Sequence, residues 1–241
     1  MADSSSPSAT FQRILITGAG SGIGRETARR LAAAGRQLFI TTRDQAKLDA
    51  LAGEIDPAGA EAADLTQPRT AEQVVDQAVA TLGGLDAVVH CAGAGLIKPA
   101  LQTTDAEFSR LLNVNLRVTF LVAQAAAKVM AENKRGRFLT FPGVLGKAVM
   151  KNASAYIASK FGVTGLIRAF SQEFQRQGVQ FTLFHFGGVD TPFWDDIGMT
   201  VKRDLMIPVA TAAAHIIAAL DAPDHLVVNE VVLQPESHQM F

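Results

Sequence analysis

Eight residues constrain this chain more than any others: Thr17-Gly18-Ala19-Gly20-Ser21-Gly22-Ile23-Gly24, set between a short apolar run, Arg13–Thr17, and an amphipathic stretch, Arg25–Ala34. The run has the length and branched content of a buried strand, and the stretch after it has helical spacing. Glycines in the turn allow positive φ and let the main chain approach a ligand closely. A helix that starts there leaves its first N–H groups free for a negative charge. Strand, glycine turn and helix in that order predict a pyrophosphate-binding turn. Glycines that merely pack helix on strand would look alike in isolation; the position after the first strand is what favours the phosphate reading.

Beyond that unit, short apolar runs keep alternating with longer amphipathic ones. Strands are predicted at Gln37–Thr41, Glu61–Ala63, Asp86–His90, Arg137–Phe141, Gln180–Phe186 and Glu230–Leu233. Helices are predicted at Gln45–Ile55, Thr70–Leu82, Asp105–Glu132, Ala155–Gln177 and Val209–Leu220. This order predicts an α/β fold: a Rossmann-type, doubly wound parallel sheet of about seven strands with helices on both faces. A length of 241 residues suits one such domain, and no composition break divides it. Residues 11–241 are therefore read as a single nucleotide-binding domain, and the polar, Ser-rich residues 1–10 as a disordered tail. The connection Gly187–Pro208 is too long for a mere link, so residues 191–208 are expected to form a substrate lid.

Charge and composition exclude several roles. With 22 Lys+Arg against 23 Asp+Glu, the net charge is −1 and scattered, so the basic stripe that nucleic acid requires is missing. The single cysteine, Cys91, cannot close an intramolecular disulfide, so the chain fits a reducing compartment or is indifferent to one. The N-terminus lacks the basic start and apolar centre of a signal peptide. The most apolar stretches, Leu121–Ala131 and Ala210–Leu220, are interrupted by polar residues and fall short of the ~18 residues that a membrane span needs. A cytoplasmic protein without nucleic-acid or membrane partners, and without a metal site, is expected.

The only tyrosine stands in Tyr156-Ile157-Ala158-Ser159-Lys160. At i and i+4 on a helix, Tyr156 and Lys160 share a face, and a neighbouring cation moves a phenol towards the working range of an acid–base group. A core tyrosine with a solvated lysine one turn later would give the same spacing. The second strand ends Thr41-Thr42-Arg43-Asp44. A carboxylate there bonds the ribose 2′-hydroxyl of NAD, whereas a basic group accommodates the 2′-phosphate of NADP. With Arg43 directly after Thr42, NADP(H) is preferred over NAD(H); Asp44 is either a late ribose acceptor or the start of the next helix.

Together these signals resemble the short-chain dehydrogenase/reductase family, in its ordinary-length single-domain branch. The resemblance runs from about Arg13 to Pro235 and rests on six ordered motifs: TGAGSGIG, Asp64-Leu65, His90-Cys91-Ala92-Gly93, Asn115 in NVNL, Tyr156–Lys160 and the GGVDTP of Gly187–Pro192. It implies pyrophosphate contacts at Gly18, Gly20, Ser21, Gly22, Ile23 and Gly24. It places Asp64 and Leu65 at the adenine, Cys91, Ala92 and Gly93 by the adenosine ribose, and Gly187, Val189 and Thr191 at the nicotinamide. Tyr156 would be the acid–base residue, Lys160 would hold the nicotinamide ribose and lower the phenol's pKa, and Asn115 would bend its helix and hold a relay water. The implied reaction interconverts a carbonyl and a secondary alcohol by hydride transfer.

The chain departs from the pattern where the family's catalytic serine would stand. That position is Gly143, in Phe141-Pro142-Gly143-Val144-Leu145-Gly146, and no Ser or Thr lies between Phe141 and Ala153. One such donor contributes about 2–4 kcal/mol to transition-state stabilisation. Ser154, a hydroxyl on the substrate, or the Gly143 N–H could stand in. Alternatively the redox reaction is lost and the nucleotide pocket serves a sensor or scaffold, or Tyr156 is the base of a lyase or isomerase. Gly143, Val144, Phe193 and Trp194 are expected in a substrate pocket suited to a hydrophobic or aromatic carbonyl. His90 and Cys91 replace two asparagines of the pattern and are expected to be structural, as are His185 and His215; Phe186 stands where a proline is usual. The apolar faces of Asp105–Glu132 and Ala155–Gln177 predict a homodimer or homotetramer.

Overall fold

A computed structural model describes residues 11–241, so the tail expected at 1–10 lies outside the described residues. Seven strands form one sheet in the order β3-β2-β1-β4-β5-β6-β7, with every neighbouring pair parallel. The strands are β1 (Arg13–Thr17), β2 (Gln37–Thr42), β3 (Gly59–Ala62), β4 (Ala87–His90), β5 (Gly136–Thr140), β6 (Val179–Phe186) and β7 (Glu230–Leu233). The helices are α1 (Gly22–Ala33), α2 (Gln45–Ile55), α3 (Thr70–Leu82), α4 (Asp105–Leu111), α5 (Val118–Glu132), α6 (Ser154–Phe174), α7 (Phe193–Asp196) and α8 (Val209–Leu220). This is the doubly wound Rossmann architecture that the alternating pattern predicts.

Parallel strands are buried on both faces, and period-two alternation divides their side chains between two cores. Leu15, Val88, Phe138 and Phe181 pack with α3, α5 and α6 on one side. Ile14, Ile16, Val89 and Leu139 pack with α1, α2 and α8 on the other. Because β1 is followed in space by β2 on one side and β4 on the other, the chain winds in opposite directions from β1. Ligands bind such sheets at that switch, beyond the carboxyl ends of the strands. The register sets Thr41, Thr17, His90 and Thr140 side by side at those ends.

Three boundaries differ from the sequence reading for physical reasons. Helix α1 begins at Gly22 rather than Arg25, because the glycine turn itself closes the first helical turn, with Gly22 at φ +51°. The connection Gly187–Pro208 carries the short α7 and a 3₁₀ turn at Arg203–Leu205. The helical run Asp105–Glu132 is interrupted by a π-helical turn at Leu112–Arg117. The whole run has 28 residues and a mean hydropathy of 1.2 over its most apolar window, enough by length and composition to cross a membrane, unlike the shorter stretches counted in the sequence. Here it lies on the sheet, burying Val118, Val122, Ala126 and Met130 in the core.

Candidate active site

The glycine turn is shaped by contacts that admit no side chain. A Cβ on Gly18, which sits at φ +68°, would lie 2.6 Å from the Ala92 nitrogen and 2.8 Å from the Cys91 carbonyl carbon. A Cβ on Gly24 would collide with the Gly18 carbonyl, and one on Gly22 would press on Thr191 at 3.2 Å. Gly20 fits against Thr42 in the same way, its Cβ position being 2.8 Å from Thr42 Oγ1. Helix α1 starts from Ser21 without a side-chain cap and without an acidic residue in its first turn. Its leading N–H groups therefore face the site with no competing carboxylate, the donor set that a pyrophosphate needs.

The acid–base candidates hang on a hydrogen-bonded frame between α4–α5 and α6. Asn115, buried in the π-helical turn, spends both ends of its amide: Oδ1 accepts from the Ala94 N–H (2.8 Å), and Nδ2 donates to the Ala94 carbonyl and to Ser159 Oγ (both 2.9 Å). Ser159 Oγ donates in turn to the Tyr156 carbonyl at 2.7 Å. Asn115 thus sews the β4–α4 loop to the helix that bears Tyr156. Its own carbonyl accepts from Thr119 Oγ1 (2.6 Å), whose oxygen is 3.0 Å from His90 Nε2, while His90 Nδ1 is 2.7 Å from Thr17 Oγ1. A hydroxyl that donates to Asn115 must accept from the ring, so His90 carries its proton on Nε2 and accepts from Thr17. Burial, with the nearby Lys160 charge, lowers its pKa to about 3, which fixes it as a neutral structural link.

Lys160 donates to the Phe141 carbonyl at 3.0 Å, and its ammonium stands 5.6 Å from the Tyr156 ring centre. Burial lowers its pKa to about 8, opposed by the neighbouring Cys91. Burial also pushes the Tyr156 phenol above its ordinary value, so the protein presents that hydroxyl as a proton donor. The resemblance implied the opposite shift, with Lys160 lowering the phenol; in this pocket desolvation of the ring prevails.

Of these groups Tyr156 opens into a cavity of about 600 Å³, whereas Lys160 and Asn115 stand outside its lining. Gly18, Ser21, Gly22, Ile23 and Gly24 line it, as do Cys91, Gly93, Tyr156, Gly187, Val189 and Thr191. Of the residues expected at the substrate, Gly143, Val144, Phe193 and Trp194 all line the same cavity. Phe193 lies 6.2 Å from the Tyr156 ring, and Trp194 donates to the Val189 carbonyl at 2.8 Å. Phe186, in place of the usual proline, packs tilted against the stacked pair Phe141 and Phe184, and the three form an aromatic wall. Gly20, Arg43, Asp64, Leu65 and Ala92 lie outside this lining. Asp64 holds its own loop, accepting from Thr66 and Gln67, and these bonds keep its carboxyl below the usual range. Asp44 caps α2 by accepting from the Lys47 N–H at 3.1 Å, which realises the helix-start alternative for that residue.

Sequence reasoning missed Met150 and Met240; with Met199 and Met206 of the expected lid segment they line the cavity, four of the chain's six methionines. Met240 belongs to a segment after the last strand that folds back over the mouth. Gln234 clasps that segment by accepting from the Met240 N–H and donating to the Phe241 carbonyl, and Ser237 ties it to the Leu205 carbonyl. No local periodicity marks these residues; only the return of the chain brings them to the site.

Two of the donors considered in place of a serine are corrected by the structure. The Gly143 N–H donates to the Phe184 carbonyl at 3.1 Å and is not free for a substrate. Ser154 is exposed at the start of α6 and is not part of the cavity lining.

The chain matches the family described as short chain dehydrogenase over residues 12–202. It is 38% identical over 188 residues to a short-chain dehydrogenase/reductase of Armillaria gallica, covering 75% of this chain and 72% of that one. It is 29% identical over 235 residues to a sepiapterin reductase of Chlorobaculum tepidum, covering 93% and 96%. Among solved structures it superposes on a 3-ketoacyl-(acyl-carrier-protein) reductase from Brucella melitensis complexed with NADH, with a TM-score of 0.86, 25% identity and coverage of 96% and 99%. The protein belongs to the short-chain dehydrogenase family and is an oxidoreductase of that class.

Proposed function

We propose that this chain is an NADP(H)-dependent reductase of hydrophobic or aromatic carbonyls, working as one nucleotide-binding domain over residues 11–241 with residues 191–208 as its lid. The observation that carries this reading is the shared cavity. The glycine turn with the open start of α1, a set of aromatic rings and methionines, and Tyr156 all line it. The turn fits a dinucleotide because Gly18, Gly22 and Gly24 let it pack tightly against Ala92, Thr191 and its own main chain, beside the uncapped start of α1. A bound nicotinamide would supply the hydride. Tyr156 donates the proton to the developing alkoxide, Lys160 favours the phenolate left behind, and Asn115 through Ser159 holds the helix that aims them. Aromatic and thioether side chains adapt to ring-shaped or acyl surfaces at little cost, which favours apolar substrates. NADPH oxidation followed across a carbonyl panel tests the proposal; cofactor binding without turnover on any carbonyl would instead favour the sensor or scaffold reading, to which the missing donor at Gly143 points.

Arg43 is the proposed source of the NADP preference. It is exposed at the end of β2, close enough to Asp64 for its charge to favour that carboxylate, and Asp44 is committed to its helix. Arg43→Ala is expected to weaken NADPH binding by about tenfold while leaving NADH nearly unchanged, as loss of one charge-assisted contact predicts. Titration of both nucleotides by fluorescence checks this, and equal wild-type affinities would remove the preference.

Gly143 adopts φ +70°, ψ 179°, a region that essentially only glycine occupies. Gly143→Ser is therefore expected to destabilise the protein by about 1–3 kcal/mol and to lower turnover rather than restore a donor. Thermal unfolding together with kcat for the best carbonyl reads both effects.

The remaining proposals concern setting. Phe120 and Phe161 are exposed on α5 and α6 beside a groove of Leu112, Leu116 and Leu166, which supports pairing into a homodimer or homotetramer. The lone, unpaired Cys91 supports a cytoplasmic location.

A further inference from the structure

We propose that His185 is a positioning residue for the substrate end of the cavity: from within the sheet it holds the Gly143 carbonyl and so fixes the glycine-only peptide that lines the pocket with Tyr156. The proposal rests on the reading of that cavity as the reaction site.

His185 is fully buried in β6, and its Nδ1 lies 3.0 Å from the Gly143 carbonyl oxygen. A carbonyl only accepts, so Nδ1 carries the proton. The same oxygen also accepts from the Gly146 N–H at 3.0 Å, and the Gly143 N–H is bonded to Phe184, so both main-chain polar groups of Gly143 are held. With the proton on Nδ1, Nε2 is a bare lone pair. It has no hydrogen-bond partner although it is buried, and the nearest charge is Glu230 Oε2 at 3.7 Å. A buried nitrogen left unmatched costs stability that an apolar side chain at 185 would not. The bond to Gly143 is what that residue provides in return.

The same loop is anchored a second time. Glu230 of β7 pairs with Lys147, which directly follows the Val144–Gly146 turn, and with Arg168 of α6 at 2.6 Å. The segment bearing Val144 and Leu145, both in the cavity lining, is thus held from behind at Gly143 by His185 and at Lys147 by Glu230. The charged groups facing His185 are Glu230, Lys147 and Arg168, and burial keeps its ring neutral by lowering its pKa. In a site with no serine at this position, a fixed Gly143 peptide sets how close a carbonyl comes to the Tyr156 hydroxyl.

The test compares the wild type with His185→Leu and His185→Asn. Asparagine places an amide donor near the position of Nδ1, whereas leucine places none. Three quantities are measured: kcat and KM for the carbonyl best reduced in the panel, the NADPH dissociation constant, and amide hydrogen exchange of residues 141–148 with β1 as the reference. His185→Leu is expected to lower kcat/KM about tenfold and to speed exchange in 141–148 by a similar factor, as the loss of one buried hydrogen bond predicts. NADPH binding and β1 exchange are expected to stay at wild-type values, and His185→Asn to recover most of the loss. Unchanged kcat/KM in His185→Leu overturns the proposal. So does a loss that asparagine fails to repair, or one accompanied by equally faster exchange in β1, which marks a merely structural residue. If the wild type reduces no carbonyl, it is the proposed reaction that falls, and the exchange comparison by itself decides whether His185 holds the loop.

Discussion

Replacing Tyr156 with phenylalanine is expected to lower kcat for carbonyl reduction by about 10²–10⁴-fold, the range that one positioned general acid contributes. The ring would remain, with its place against Phe193 and in the small cluster of Val144, Leu145 and Ala153, so NADPH affinity and melting temperature should hardly change. That separation is the point of the variant, because only the hydroxyl is removed. The pH profile should carry a second signature. The phenol stays protonated through the working range because burial raises its pKa, so it is not the group that ends activity on the alkaline side. Lys160 is that group: its pKa is lowered to about 8, so it is charged below that pH and loses its charge as the pH rises through it. Once neutral, it no longer favours the phenolate formed when Tyr156 gives up its proton. Reductive kcat/KM should therefore fall above about pH 8. A profile flat to pH 10 would contradict the role given to Lys160.

Gly18→Ala is expected to damage nucleotide binding severely. Its Cβ would sit 2.6 Å from the Ala92 nitrogen and 2.9 Å from the Ala92 Cα, and these are main-chain atoms at the end of β4 that cannot swing away. The φ of +68° adds strain to the clash. Relief requires the turn to lift from β4, which would cost about 1–3 kcal/mol of stability and spoil the aim of the N–H groups at the start of α1. Nucleotide affinity is expected to fall about 100-fold or more, as the loss of amide contacts to a charged phosphate implies. Gly35→Ala is the control. Gly35 has the same sign of φ, +75°, but nothing within 4 Å of its Cβ position, so it should show the strain with unaltered binding. Calorimetry and nucleotide titration on both variants separate the two effects, and comparable binding in both would refute the close-packing account.

Much of this was legible in the residues. The alternation of short apolar and long amphipathic runs specifies a parallel sheet because period two and period 3.6 bury different faces, and the seven strands fall where those runs lie. The glycine turn and Tyr156-x-x-x-Lys160 are readable because their chemistry depends on backbone freedom and on helical spacing, both local properties. Less legible was the conformation of Gly143. Its sequence shows only a missing hydroxyl, whereas its φ and ψ, and the loss of its N–H to Phe184, come from strands and loops far along the chain. The direction of the Tyr156 shift was likewise invisible: helical spacing predicts a neighbouring cation, but the desolvation that raises the phenol depends on what else closes over the ring. The segment after β7, with Met240 beside the cluster that includes Tyr156, carries no periodic signal at all.

The sequence by itself therefore determined the doubly wound sheet, the place of the phosphate turn and the pairing of Tyr156 with Lys160, since each follows from interactions within one element or its neighbour. Only the tertiary structure decided that Asn115, Ser159 and His90 form a single frame behind the site, that Gly143 is held from the β6 side by His185, and that methionines from three separate segments line the pocket. Those contacts join residues up to about a hundred positions apart, and their energies depend on burial and on which polar atoms are left to pair, quantities that exist only once the chain has closed on itself.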